Sequence, residues 1–310
     1  GQYAYFLLKK TNYTTIDALQ ILSNKFRTPL KNFGFAGNKD KNAVTEQNIS
    51  IFRGSKSFAN VKLNKIELKY LGNGKGPISL GDLNGNEFTI IIRNLDGNEI
   101  KKIQKLKNKK INIPNLFGPQ RFSKNNNTVG KAIIKKDFKK AIELILENNG
   151  KVENEIKKYL ENNKNNYIGA LRIIPLKTRK LFVHSYQSYL FNKIVNEYLN
   201  KIKTNKSNIK IPIVGFDFDI NSIEDELLKN IIERAIEEEK INPREFIISQ
   251  MPELTSEGNF RDLFFELKDL KILEIYDDEL NQNMKKIKIN FALPKSCYAT
   301  VALEFLLQQP

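Results

Sequence analysis

The 310-residue chain has one cysteine and one histidine. With Cys297 alone, no disulfide framework and no thiolate metal cluster can form, and with His184 alone, zinc sites built on several imidazoles are excluded. No apolar run approaches the ~20 residues needed to span a bilayer, and the first residues lack the basic-then-apolar layout of a secretory signal. The expectation is therefore a cytoplasmic protein. Acidic side chains are also scarce relative to basic ones, 35 against 51, which leaves a formal net charge of +16 and a pI of about 9.6. What remains for catalysis is carboxylates, lysines, hydroxyls and phenols.

A basic excess of this size points to a polyanionic partner, and for a soluble chain nucleic acid comes first. Codon bias toward Lys, Asn and Ile accounts for their spread along the chain but not for the imbalance between the two signs. Hydrophobic content of 40% and charged content of 28% are ordinary for a globular protein able to form a sizeable core. The length suggests two domains, or one large domain with an insertion.

The most informative stretch runs from Phe33 to Gln47, Phe-Gly-Phe-Ala-Gly-Asn-Lys-Asp-Lys-Asn-Ala-Val-Thr-Glu-Gln. Gly34 and Gly37 allow turns and close backbone approaches. Lys39 and Lys41 flank Asp40, and cations near a carboxylate favour its ionised form, which can serve as nucleophile or base. On those three residues alone, a solvated Lys-Asp-Lys turn is the better reading.

Around this stretch the pattern alternates between strand and helix. Tyr3–Leu8 reads as a buried strand, Thr14 or Thr15 caps a helix carrying Leu19, Leu22 and Phe26 inward, and Pro29 helps to end it. Ile49, Ile51 and Arg53 alternate with Asn48, Ser50 and Phe52, and Ile66–Leu71 alternates likewise. Gly72–Pro77 is Gly-rich after a strand, but Gly76-Pro77 stands where a phosphate-binding loop needs Ser or Thr and then a helix. A nucleotide-dependent enzyme thus has little support. Gly85-Asn86 reads as a turn delivering Phe88 to a strand, where Phe88 could simply join Ile90 and Ile92 in a core. Lys101–Lys110 is a basic helical stretch with Ile103 and Leu106 inward, equally suited to solvent or a phosphate backbone. Ala132–Leu146, Phe182–Leu199 and Glu224–Glu239 read as helices, 161–166 as a loop, and Pro212–Phe218 as a connector. His184 lies in what reads as a core helix that satisfies its ring. Strand texture returns at Phe260–Leu267, Lys271–Tyr276 and Lys286–Phe291.

Residues 37–47 closely resemble the signature G-x-K-D-x-x-A-x-T-x-Q of the TruD family of pseudouridine synthases. Four further stretches resemble that family in its own order. They are Gly85-Asn86-Glu87-Phe88 (G-N-x-F), Asn115–Phe122 (N-Y-F-G-x-Q-R-F, with Leu116 for Tyr and then Ser123 for Gly), Phe182–Asn192, and Leu293–Thr300 (L-P-x-x-x-Y/F-A-T). After the last of these the family has an Arg before its Glu; here Val301-Ala302-Leu303-Glu304 follows. Members also carry, ahead of the position of Gly1, an F-x-V-x-E-like strand and a basic residue thought to sit near the carboxylate, so the basic partner of Asp40 is left open.

The resemblance implies an α+β protein. Its catalytic pseudouridine synthase domain, on a mixed sheet, would be discontinuous, residues 1–118 and 262–310, with a mainly helical insertion domain at 119–261. It implies isomerisation of a uridine in folded RNA, foremost nucleotide thirteen in the D-arm of tRNA, with an anticodon-loop site as a second option. Asp40 would be the catalytic carboxylate, attacking the anomeric carbon or acting so as to form a glycal. Asn86 would hydrogen-bond near it and Phe88 would stack on the flipped base. Lys39, Gln120 and Arg121 join the substrate-binding set, although a structural ion pair is an equal reading for Arg121. No metal or organic cofactor is implied, and the protein is expected to act as a monomer. A relative of the same fold that binds RNA without catalysis, such as an RNA chaperone, is the alternative.

Overall fold

A computed structural model of the chain describes residues 1–107, 109–202 and 209–308. The chain divides into two compact units, Gly1–Asn86 and Glu87–Pro310, and each is taken by itself.

In the first unit, β1 (Tyr3–Thr11) is the second strand from one edge of a four-stranded sheet, with β3 (Val44–Phe52) and then β2 (Phe33–Phe35) on one side and β4 (Ile66–Gly74) on the other. The ladders are antiparallel. β1 alternates between half-buried and buried positions, so Ala4, Phe6, Leu8 and Lys10 share the inner face, as the two-residue period of a strand requires. That face packs on α1 (Thr15–Phe26) through Ala18, Leu19 and Leu22. Thr14 caps the helix by accepting from the Asp17 N–H, and Arg27 ends it in the left-handed region, ahead of Pro29. Arg53, expected to continue the alternation of β3, instead turns the chain at φ 53°.

The Gly-rich run Gly72–Pro77, which begins inside β4, is not a nucleotide loop. Gly72 and Gly74 still pair with β1, a bulge places Leu71 as the extra residue, and the Tyr5 ring lies where a side chain on Gly74 would project. Tyr5 closes the turn by donating to the Gly76 carbonyl at 2.7 Å. Gly85 and Asn86 likewise open β5 (Gly85–Leu95) and are not a turn before it.

In the second unit β5, β10 (Lys285–Pro294), β9 (Phe264–Asp277) and β6 (Ile111–Pro114) form a four-stranded sheet in that order. It draws strands from both ends of the unit. The β9–β10 and β6–β9 ladders are antiparallel. β9 is one strand where two were expected, because Asp269 takes a left-handed φ of 56° and the register shifts there without ending the ladder. α2 (Gly97–Leu106), started by the reciprocal Asp96–Glu99 cap, lays Ile100 and Ile103 on this core. α9 (Ala299–Gln308) adds Val301, Ala302 and Leu306. Of the basic stretch Lys101–Lys110, Asn108 lies outside the described residues.

A separate helical core comprises α3 (Asn126–Ile134), α4 (Phe138–Leu146), α5 (Lys151–Asn162), α6 (Tyr167–Ile173), α7 (Leu176–Lys201) and α8 (Glu226–Glu238). The single helix expected at 132–146 is two, because Lys136 takes φ 61° and Asp137 recaps the chain. α7 buries residues on most of its circumference, with Phe182, Val183, Tyr186, Leu190 and Phe191 among them. Overlapping the start of the expected connector Pro212–Phe218, β7 (Lys210–Ile213) pairs with β8 (Asn259–Asp262). Glu239, just past α8, is buried and takes bonds from Lys131, Lys193, Tyr186 and Tyr189. No described helix is long and apolar enough to cross a membrane.

Candidate active site

In the first unit the Asp40 loop is built from below. Strand alternation carries Lys10 onto the inner face beyond Leu8, at the end of β1, where it is 1% exposed. A lysine so placed must find acceptors, since burying an ammonium without partners is costly. Its Nζ donates to the carbonyls of Tyr13 at 2.6 Å, Asp40 at 2.8 Å and Lys39 at 3.4 Å. The loop is thus tied by its backbone to a buried cation. Burial depresses the Lys10 pKa, and the Asp40 and Asp17 charges oppose that.

A second tie runs through Thr15. Its buried Oγ1 accepts from the Lys39 N–H at 2.8 Å and from Gln47 Nε2 at 2.9 Å. Gln47, the last residue of the 37–47 signature, therefore reaches back to its Lys. Gln47 Oε1 and Thr45 Oγ1 are buried without a partner among the described residues. Lys39 Nζ donates to Asn86 Oδ1, and burial lowers its pKa, again against the Asp40 charge.

Asp40 itself is exposed. Among the described residues its carboxylate accepts no hydrogen bond, while Lys10 and Lys39 both feel its charge. The arrangement is a fixed backbone presenting a free carboxylate beside two cations. That suits a group which must approach a substrate atom and not a structural ion pair. Lys41 is exposed and adds no tie.

Gly34 fits its role as a close approach. A Cβ there would stand 2.4 Å from the Ile78 carbonyl oxygen and 2.5 Å from Ser50 Oγ. The chain after β4 docks at this point through Ile78 N–H to Ser50 Oγ and Gly81 N–H to the Ala36 carbonyl. Gly37 meets nothing within 4 Å and its φ is not left-handed, so the expectation of a required glycine finds no basis there.

The other sequence-identified residues stand in the second unit, apart from Asn86. Phe88, two residues after Asn86 on β5, shares its side of the strand. Its ring is half-buried and packs 5.6 Å from that of Phe291 at an interplanar angle of 27°. One face is therefore held by the core. Gln120 Oε1 accepts from Thr300 Oγ1 at 3.1 Å, which joins the 115–122 and 293–300 stretches. Arg121 forms no ion pair among the described residues. Its Nε donates to Ser188 Oγ at 3.1 Å and its guanidinium lies 5.7 Å from the Phe117 ring centre. Asn192 fastens this segment to α7 by exchanging two 2.9 Å bonds with the Phe117 backbone. Ser123 holds φ 47°, a conformation in which glycine is unstrained.

Two functional candidates are missed by sequence reasoning. Ending the first strand at Leu8 leaves Lys10 outside it, although the spacing Ala4, Phe6, Leu8, Lys10 marks it as inward-facing. Arg261 reads in the sequence only as part of a strand. Its guanidinium lies 4.4 Å from the Phe117 ring centre and bonds the Asn115 and Ser296 carbonyls at 2.8 and 2.9 Å. His184 is not the satisfied core residue expected, since its ring is half-buried with no hydrogen-bond partner among the described residues. Burial, then Arg121 and Lys180, push its pKa down.

The family description tRNA pseudouridine synthase D (TruD) matches residues 1–158, 147–206 and 195–305. A "Probable tRNA pseudouridine synthase D" of Methanococcoides burtonii is 30% identical, the alignment covering all of this chain and 88% of the relative. The tRNA pseudouridine synthase D of Aquifex aeolicus is 28% identical over 99% of this chain and 92% of its own. The crystal structure of a putative tRNA pseudouridine synthase D from Methanosarcina mazei superposes with a TM-score of 0.76 at 26% identity, over all of this chain and 88% of that one. The matched segments span nearly the whole sequence and the fold agrees with a solved relative: the chain belongs to the tRNA pseudouridine synthase D (TruD) family.

Proposed function

We propose that this protein converts a uridine of tRNA, at nucleotide thirteen in the D-arm, to pseudouridine in the cytoplasm, with Asp40 as the catalytic carboxylate. The observation that carries the proposal is the Asp40 loop. An exposed carboxylate stands on a backbone tied by buried Lys10 and Thr15 and flanked by two cations. Residues 1–118 with 262–310 form the catalytic domain and 119–261 the insertion. The separate sheet core and helical core within the second unit support that division.

The target uridine must leave its stack, at a cost of a few kcal/mol. The exposed part of Phe88 offers it a π-face worth roughly 1–3 kcal/mol. Asp40 acts at the ribose while the bond between N1 of uracil and C1′ breaks. The freed base turns, C5 bonds to C1′, and the proton on C5 leaves to solvent while N1 takes one up. Atoms balance without a co-reactant. Lys10 holds the loop through its backbone carbonyls, Lys39 stands beside the carboxylate, and Asn86 holds Lys39.

Release of tritium from tRNA labelled at C5 of uridine tests this directly. Wild type should release it and Asp40→Asn, which keeps the shape and removes the charge, should not. RNA affinity should persist in the variant, because a negative charge has been removed from a phosphate-facing surface. Equal release by both proteins would remove Asp40 from the mechanism. Release by neither, with tRNA still bound, would identify an RNA-binding relative without catalysis.

A further inference from the structure

The second unit carries a group of cations with more donors than acceptors. A guanidinium has five N–H groups. Arg121 uses its Nε on Ser188, which leaves four without a hydrogen-bond partner among the described residues. Arg261 uses Nε and Nη2 on the Asn115 and Ser296 oxygens, which leaves the two on Nη1. Neither guanidinium has a carboxylate in salt-bridge reach among the described residues, although ion pairs are frequent elsewhere in the unit, as at Arg93–Asp278 and Arg179–Glu253.

The two share the ring of Phe117, at 5.7 and 4.4 Å, and sense each other's charge. His184 on α7 is coupled to Arg121 and to exposed Lys180 one turn earlier. The neighbours that could balance Arg261 are Asp262, Cys297 and Tyr298. Burial pushes the Cys297 thiol up to about 11, so it is neutral at physiological pH. Asp262 offsets Arg261 by its charge without pairing with it, and among the described residues none of Arg121, Lys180 and Arg261 has a carboxylate within salt-bridge reach. Such a surplus is stable only where solvent or an anion supplies the missing acceptors, and forked guanidinium donors match phosphate oxygens.

We propose that Arg121, Lys180, His184 and Arg261 form a phosphate-binding site that grips backbone phosphodiesters of the RNA. The inference rests on the RNA-modifying reading above and adds to it where, outside the Asp40 loop, the backbone is held. Contacts to phosphate position the RNA without reading its sequence. The site therefore governs affinity for all folded RNAs alike. His184 adds a proton-linked contribution. Its free ring is held neutral by burial and by Arg121 and Lys180, whereas a phosphate beside it favours the charged form. RNA binding then takes up a proton, and affinity rises as pH falls.

The test uses the full chain and an unmodified tRNA transcript, titrated between 50 and 200 mM salt. Lys180→Gln and Arg121→Gln should each reduce the magnitude of the log–log salt slope by about 1 and weaken a non-substrate transcript to the same degree. Lys157→Gln, the same charge change at an exposed position on α5, should leave the slope in place. Between pH 7.5 and 5.5 the wild type should gain more affinity than His184→Gln. Lys180 and His184 form no side-chain hydrogen bond within the described structure, so these variants should melt with the wild type. Arg261→Gln removes three internal bonds and is expected to lose stability, so the comparison leaves it out. Unchanged slopes in Lys180→Gln and Arg121→Gln, or an equal fall in Lys157→Gln, would overturn the proposal. Tritium release separates the two readings. Turnover with unchanged slopes sinks the phosphate site alone, whereas reduced slopes without turnover sink the isomerase reading alone.

Discussion

Replacing Lys10 by Met keeps the length and apolar stem of the side chain and removes only the ammonium. Two strong bonds disappear, to the Tyr13 carbonyl at 2.6 Å and the Asp40 carbonyl at 2.8 Å, and a weak one at 3.4 Å. Hydrogen bonds to a charged group contribute roughly 1.5–3 kcal/mol each, so the gross loss is about 3–6 kcal/mol. Two effects offset it. The burial penalty on the ammonium vanishes, in line with the downward shift of its pKa, and the carbonyl of exposed Asp40 can turn to water. A net destabilisation of about 1–3 kcal/mol follows, a fall in Tm of a few degrees for a chain of this size. Turnover should suffer far more, because a displacement of ~1 Å in a catalytic group can cost about 100-fold. RNA affinity should stay within about threefold, since a residue 1% exposed cannot touch RNA. Single-turnover tritium release with saturating enzyme, alongside thermal melting and equilibrium binding, reads all three. Turnover within twofold of wild type in folded Lys10→Met would refute the argument that this cation positions the Asp40 loop.

Phe88→Ala should reduce turnover by one to two orders of magnitude, the equivalent of a lost base stack, with tRNA binding nearly intact. Phe88→Leu, which keeps the contact with Phe291, should retain the Tm and still lose turnover, and a variant that loses only Tm would make Phe88 a core residue. Burial pushes the Glu239 carboxyl up, but bonds and charges from Lys131 and Lys193 more than offset this and leave it at about 2. A depressed carboxylate pKa contributes stability that is complete above its ordinary value near 4.5 and is lost as pH falls toward about 2. Glu239→Gln should therefore lower Tm at pH 7, by an amount that shrinks on acidification through that window. An equal difference at pH 7 and pH 2.5 would exclude the Lys131–Glu239–Lys193 cluster as its source. Activity on prefolded tRNA should survive dialysis against strong chelators, because one His and one Cys cannot assemble a transition-metal site. Restoration of lost turnover by one specific transition metal would count against a carboxylate mechanism.

The sequence alone determined the properties that depend on local pattern. Alternation marked β1, β3 and β4, the three-to-four-residue period marked α7 and α8, and the spacing of 37–47 pointed to Asp40 and its family. It misjudged the elements whose limits depend on single backbone conformations. Lys136 breaks a helix that its side chains would have continued, and Asp269 bends a strand without ending it, because a left-handed φ is compatible with many sequences and required by few. Only the tertiary structure brought together residues distant in the chain. Lys10 reaches Asp40 across thirty positions because antiparallel pairing of β1 and β3 sets the end of one strand beside the loop that feeds the other. Arg121 and Arg261 gather on the Phe117 ring, with His184 of α7 within reach of the Arg121 charge, because α7 and β8 both pack against one short turn. Charge composition could announce a polyanionic partner, but which cations lack acceptors is a matter of neighbours, and neighbours are fixed by packing.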